Sequence, residues 1–205
     1  MSITLIIIVL TVIVSAIAFK NRELFLKLEF TPYLVHTNNE HYRFLSHALL
    51  HSDWFHLLIN MLVFWFFGEA TERYFAYYLG SKGVFYFILL YIGGVVFATL
   101  PTYKKHKENY GYHSVGASGA VSALVMSSVI FSPMSDICLY GIICFPGILW
   151  AIIYLVYSYR MSKGSNDNIN HDAHFWGAIF GIIFTIAAVP SSLLLFVNQL
   201  LSIFN

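Results

Sequence analysis

Apolar residues occur in long runs separated by short polar interruptions, and the run lengths match membrane-crossing helices. Ile3 to Phe19 is nearly continuous and stops at Lys20-Asn21-Arg22-Glu23. Read along the chain, the pattern predicts six helical spans, at about residues 3–19, 55–70, 84–100, 115–131, 141–159 and 173–195. Ala16-Ile17-Ala18 has the form of a cleavage site, but no positive charge precedes the first run, so a retained span is expected. Residues 20–54 interleave Lys20, Arg22, Glu23, Lys27 and Glu29 with Leu24, Phe25, Leu26, Leu28 and Phe30. That mixture is too polar to span and predicts an excursion along the bilayer interface. Pro101 is expected to close the third span, Pro146-Gly147 to kink the fifth, and Pro190 to bend the sixth. The fold class that follows is an all-α membrane protein, one domain over residues 1–205.

Composition supports the same solvent. Hydrophobic residues are 59% of the chain, charged residues 10%, and mean hydropathy is +0.72, which leaves no soluble domain of any size. That composition makes a lipid bilayer the expected partner, and a net charge of +1 suggests neither nucleic acid nor a polybasic membrane tether. Cys138 and Cys144 form neither a C-x-x-C pair nor a metal pattern and read as ordinary small apolar residues. No cofactor and no metal site is expected.

Six crossings put the starts of the second, fourth and sixth spans on one side of the membrane. His56, Ser118 and His174 lie at those starts. Gly116-Ala117-Ser118-Gly119-Ala120 can be read as a helix-packing surface, because small residues let helices approach closely. It can also be read as a nucleophile at a helix N-terminus, where free N–H groups would stabilise an oxyanion. His174 favours the second reading. Gly177, Ala178 and Gly181 follow it on the same helical face, and such a face can bring an imidazole against the serine stretch. An imidazole is the base that a serine hydroxyl needs. His56 and Asn60, four residues apart on one face, can donate to an oxyanion beside the Ser118 backbone N–H. Asp172 is only two residues from His174 and points elsewhere, so a dyad is expected rather than a triad.

With these motifs in place the chain resembles the rhomboid intramembrane serine proteases of the basic six-span bacterial type, over almost its whole length. His56-Leu57-Leu58-Ile59-Asn60, Gly116-Ala117-Ser118-Gly119 and Ala173-His174-Phe175-Trp176-Gly177 with Gly181 carry the resemblance. It implies Ser118 as nucleophile and His174 as general base and then acid. His56, Asn60 and the Ser118 N–H become oxyanion donors, and Gly116, Gly119, Gly177 and Gly181 pack the helices at the site. His47 and His51 match family histidines near a water-accessible cavity. Tyr42-Arg43 matches an aromatic-arginine pair in the first loop, and Gly68 and Glu72-Arg73 match scaffold positions. The implied substrates are transmembrane proteins, and the implied location is a bacterial plasma membrane with the site facing away from the cytoplasm. One position departs. Several family members carry an aromatic residue four positions after the nucleophile, against the imidazole, and this chain has Ser122.

Two other functions share some of these features. Nine histidines, with His47-x3-His51 and His171-x2-His174, suggest a His-ligated membrane oxygenase or desaturase, although paired His-His boxes and H-E-x-x-H are missing. A rhomboid-like protein that binds transmembrane helices without cutting them is the other. On sidedness, Lys20, Arg22, Lys27, Arg43, Lys104, Lys105, Lys107, Arg160 and Lys163 lie on the Ser118 side, against Arg73 and Lys82 opposite. That distribution opposes the family orientation.

Overall fold

The computed structural model describes residues 1–139, 142–164, 167 and 169–202. The helices are α1 (Ile3–Ala18), α2 (Arg22–Leu28), α3 (Pro32–Asn38), α4 (Arg43–Ser46), α5 (Trp54–Leu79), α6 (Gly83–His106), α7 (Ser118–Phe131), α8 (Gly147–Met161), α9 (His171–Ala188) and α10 (Ser191–Leu201). A short antiparallel hairpin, β1 (Asp136–Leu139) and β2 (Ile143–Pro146), joins α7 to α8.

Helix α7 is the axis of the bundle. Gly119 to Leu124, Met126, Ser127 and Val129 to Phe131 are all buried, so the helix is enclosed on every side. Helices α5, α6 and α9 surround it. On the α9 side the contact is backbone to backbone. A Cβ on Gly177 would collide with the Gly119 carbonyl, and one on Gly181 with the Ala123 backbone. One turn further on, the Thr185 hydroxyl donates to Ser127 Oγ at 2.7 Å. The pairs Gly177–Gly119, Gly181–Ala123 and Thr185–Ser127 recur every fourth residue along both helices, so α7 and α9 run parallel in a fixed register.

The far end of the bundle is held by carboxylates. Glu72 of α5 accepts the Ile3 and Thr4 N–H groups at 2.9 Å each and the Thr4 hydroxyl at 2.8 Å, while the Ser2 hydroxyl bonds Glu69. A negative charge at the start of α1 satisfies donors that have no partner in the helix and meets the positive dipole end. At the other end, residues 20–53 fold over the bundle around Arg43. Its side chain is buried and donates to the carbonyls of Leu26 (2.9 Å) and Glu29 (2.7 Å) and to Glu40 (2.6 Å). Phe30 and Ser114 exchange two backbone bonds of 3.0 Å, which tie this loop to the segment leading into α7.

Several expectations are corrected. Pro101 does not end its helix: α6 continues to His106. The fifth apolar run does not form one helix from residue 141, because residues 143–146 pair as β2 and the helix begins at Gly147 (Gly141 itself lies outside the described residues). Pro146 is the cap of α8 rather than a kink within it, and Pro before a helix sacrifices no intrahelical bond. The sixth run bends at Pro190 as expected, but the bend of 109° splits residues 173–195 into α9 and α10 rather than one span. Cys138 and Cys144 are not inert apolar residues. They face each other across the hairpin as a disulfide.

The number of crossings does not follow from helix length. Among the described residues one helical stretch, Trp54–His106, is long and apolar enough to cross a bilayer, and the turn at Gly80–Lys82 folds it into the pair α5 and α6. Helices α9 and α10 would together make a second such stretch but for their bend. Helices α1, α7 and α8 are apolar but have 16, 14 and 15 residues. At about 1.5 Å per residue they measure roughly 21–24 Å, short of a hydrocarbon core of about 30 Å.

Candidate active site

Ser118 is the first residue of α7, half-buried, with Ala117 as the cap. The chain reaches it through Gly116, whose φ of +121° is left to glycine, and the Gly116 N–H is bound by the His47 carbonyl at 3.0 Å. A Cβ on Gly116 would lie 3.1 Å from Cε1 and 3.3 Å from Nε2 of His56. His56 therefore stands directly against the approach to Ser118. Asp53 fixes where α5 begins by accepting the His56 N–H at 2.8 Å, a bond that also holds the Asp53 carboxyl below its usual range. The His56 ring is held through Nδ1 by Ser52, with the hydroxyl oxygen at 3.0 Å and the N–H at 3.4 Å. In the tautomer that accepts the Ser52 N–H, the ring proton sits on Nε2, toward Gly116. Asn60 is buried one turn below, and its Nδ2 donates to the His56 carbonyl at 3.0 Å, leaving the second amide proton unassigned.

The α7–α9 register places His174 level with the loop that enters α7. Its nearest ring neighbours are Tyr154 of α8, stacked at 6.2 Å and 25°, and His171, edge-on at 5.9 Å. Among the described residues no hydrogen bond joins the Ser118 hydroxyl to the His174 ring. A 20 Å³ cavity adjoins Ser118, lined among others by His47, Thr99, Ser114 and Asn170. That volume holds about one water, and the polar lining supplies partners for it.

Three further histidines, His47, His51 and His171, lie near this centre. His47 is buried beside the cavity, and burial lowers its pKa to about 4. His51 packs edge-on against His56 at 5.0 Å with its Nδ1 3.1 Å from Ser15 Oγ, and burial lowers its pKa to about 3. His171 lies 3.1 Å from both carboxylate oxygens of Asp167. Among the described residues, no three His, Cys, Asp or Glu side chains group as a metal site. Asp172 turns to Lys105 at 3.5 Å, away from His174.

The residues singled out by sequence thus divide clearly. Gly116, Gly119, Gly177 and Gly181 are at close contacts, and His56 lies against Gly116, two residues before Ser118. His174 lies one turn before Gly177, the residue that meets Gly119. Tyr154, Ser52 and the Asp167–His171 pair were not legible beforehand. Tyr154 is one of 14 tyrosines, and nothing in its own segment marks it.

Comparison with known proteins agrees with this frame. A family model described as "Rhomboid domain" matches residues 38–191. The chain is 29% identical over 152 residues to "Putative rhomboid protease YdcA" of Bacillus subtilis (strain 168), covering 74% of this chain and 69% of that one. It is 27% identical over 148 residues to "RHOMBOID-like protein 12, mitochondrial" of Arabidopsis thaliana, covering 68% of this chain and 44% of that one. With the family model matching most of its length, the chain belongs to the rhomboid family.

Proposed function

We propose that this chain is an intramembrane serine endopeptidase acting on transmembrane proteins through a Ser118–His174 dyad. The observation that carries the reading is the backbone contact of Gly177 with Gly119. It brings the helix bearing His174 as close to the helix bearing Ser118 as two helices can come, with both residues at the same end. His174 accepts the Ser118 proton as Oγ attacks the scissile carbonyl. The Ser118 N–H and His56 Nε2–H stabilise the oxyanion, with the free Asn60 amide proton as a third donor. His174 then protonates the leaving amine, and a water, for which the cavity beside Ser118 has room, hydrolyses the acyl-enzyme.

The same reading takes α1, α5, α6, α7, α8 and α9 as six crossings. The chain alternates ends in support of this. The start of α1 is held by Glu69 and Glu72 late in α5, and its end brings Phe19 within 4.8 Å of Trp54 at the start of α5. Helices of 14–16 residues then require a locally thinned bilayer. We keep the family orientation, with Ser118 opening away from the cytoplasm. Against it stand the excess of Lys and Arg at the Ser118 end and the disulfide at the opposite end.

The activity test is cleavage of a reporter transmembrane substrate in liposomes. Wild type should cut it, and Ser118→Ala and His174→Ala should each abolish cutting. Undiminished cleavage by either variant overturns the dyad. A non-cutting binder is separated by a fluorophosphonate probe, which labels Ser118 only when the hydroxyl is activated.

A further inference from the structure

The His174 ring faces Tyr154 of α8, stacked at 6.2 Å. The Ser122 hydroxyl, one turn after Ser118, donates to the Ser118 carbonyl at 2.7 Å. Its proton is thereby used, so the Tyr154 hydroxyl, 2.5 Å away, is the donor to Ser122 Oγ. Tyr154 thus stacks its ring on His174 and reaches through Ser122 to the residue that carries the nucleophile. Both members of the dyad are touched by one side chain or its hydrogen-bond chain.

The helix presenting Tyr154 is weakly seated. Only Gly147, Ala151 and Ser158 of α8 are buried, while Leu149, Ile152, Ile153, Val156, Tyr157 and Tyr159 are exposed. By contrast α7 is enclosed and α9 is locked to it by glycines. At its lower end α8 is held by two backbone bonds of 2.9 Å, Gly147 N–H to Ser135 and Ile148 N–H to Pro133, and by Trp150 Nε1 donating to the Ile137 carbonyl of the hairpin at 2.8 Å. Ala151 packs in a small cluster with Met126, Val129 and Ala178. An element with so few buried contacts is drawn from the low-stability end of a structure.

Resting on the protease reading above, we infer that Tyr154 is the positioning residue for the His174 imidazole, so that the dyad is competent only while α8 is docked on α7 through Tyr154 and Ser122. An imidazole displaced by about 1 Å costs on the order of 10²-fold in rate. Withdrawal of α8 by that amount switches the site off without altering Ser118 or His174.

The test measures the rate of fluorophosphonate labelling of Ser118, steady-state cleavage and thermal unfolding, all on the full chain in detergent. Tyr154→Phe keeps the ring and loses the bond to Ser122. It should label about tenfold more slowly, with kcat reduced and KM unchanged. Tyr154→Leu should fall roughly 10²-fold. Ala151→Leu, which wedges α8 outward, should slow labelling while leaving every dyad contact residue in place. Restoring a ring from the other helix, as Ser122→Tyr in a Tyr154→Ala background, should recover labelling and make it insensitive to Ala151→Leu. Should Tyr154→Leu fail to fold, Tyr154→Phe and Ser122→Ala carry the test alone. A folded Tyr154→Leu, or folded Tyr154→Phe and Ser122→Ala, labelling at the wild-type rate overturns the inference. Wild type that neither labels nor cleaves overturns the protease reading instead.

Discussion

Gly177 of α9 rests on the carbonyl of Gly119 of α7, with no room for a methyl group between them. The contact is as much a constraint on chemistry as on packing. Anything that separates these helices moves His174 relative to Ser118, because the two lie at the same end of the same seam.

Gly177→Ala is therefore expected to remove activity before it removes the fold. Overpacking a tight contact costs about 1–3 kcal/mol, which a membrane bundle can survive. A lowered unfolding temperature together with lost reporter cleavage is the expected pair of results. Full activity in Gly177→Ala would show that the seam does not set the dyad.

Arg43→Lys should loosen residues 20–53. Arg43 serves Leu26, Glu29 and Glu40 at once from a buried position, and a lysine ammonium cannot reproduce that fork. Faster limited proteolysis within the loop, with the rest of the chain protected, is the outcome to look for. An unchanged digestion pattern would contradict it.

Glu72→Gln weakens the anchor of α1, since charge-assisted bonds to Ile3 and Thr4 become neutral ones. A loss of about 1–2 kcal/mol is expected, with hydrogen exchange rising in α1 first. Exchange that rises uniformly across the bundle would place the loss elsewhere.

Acid should destabilise the protein through His47. Its pKa falls from an ordinary 6.5 to about 4 on burial, so between those values the unfolded chain holds more protons than the folded one. Stability is full above about pH 6.5 and declines as pH drops toward 4, by on the order of 3 kcal/mol for this group. His51, lowered to about 3, adds to the same slope. Unfolding temperature measured from pH 7.5 to 4.5 should flatten in His47→Phe, and an unaltered slope would remove His47 as its source.

Orientation is read from the hairpin. It lies past the end of α7, opposite Ser118, and with Ser118 facing outward Cys138 and Cys144 are cytoplasmic and reduced in the cell. A membrane-impermeant maleimide should then leave both unlabelled in intact cells and label both on lysis without reductant. A disulfide persisting in freshly quenched cells would invert the orientation and agree with the Lys and Arg distribution.

Much of this protein was legible from its sequence. Apolar run lengths gave the membrane character, and small residues beside Ser118 and His174 marked the close seam. His56 and Asn60 at one helical turn marked a shared face. These are local properties, set by composition and by the 3.6-residue period, and they survive without knowledge of neighbours. What only the tertiary structure decided depends on which segments meet. The disulfide needs β1 and β2 to pair, and the α8 boundary needs that hairpin to claim residues 143–146 from an apolar run. Ser122 read alone left the His174 ring without support. Tyr154, 32 residues later, supplies it from another helix, and no local pattern could single it out because its role exists only where α7, α8 and α9 come together.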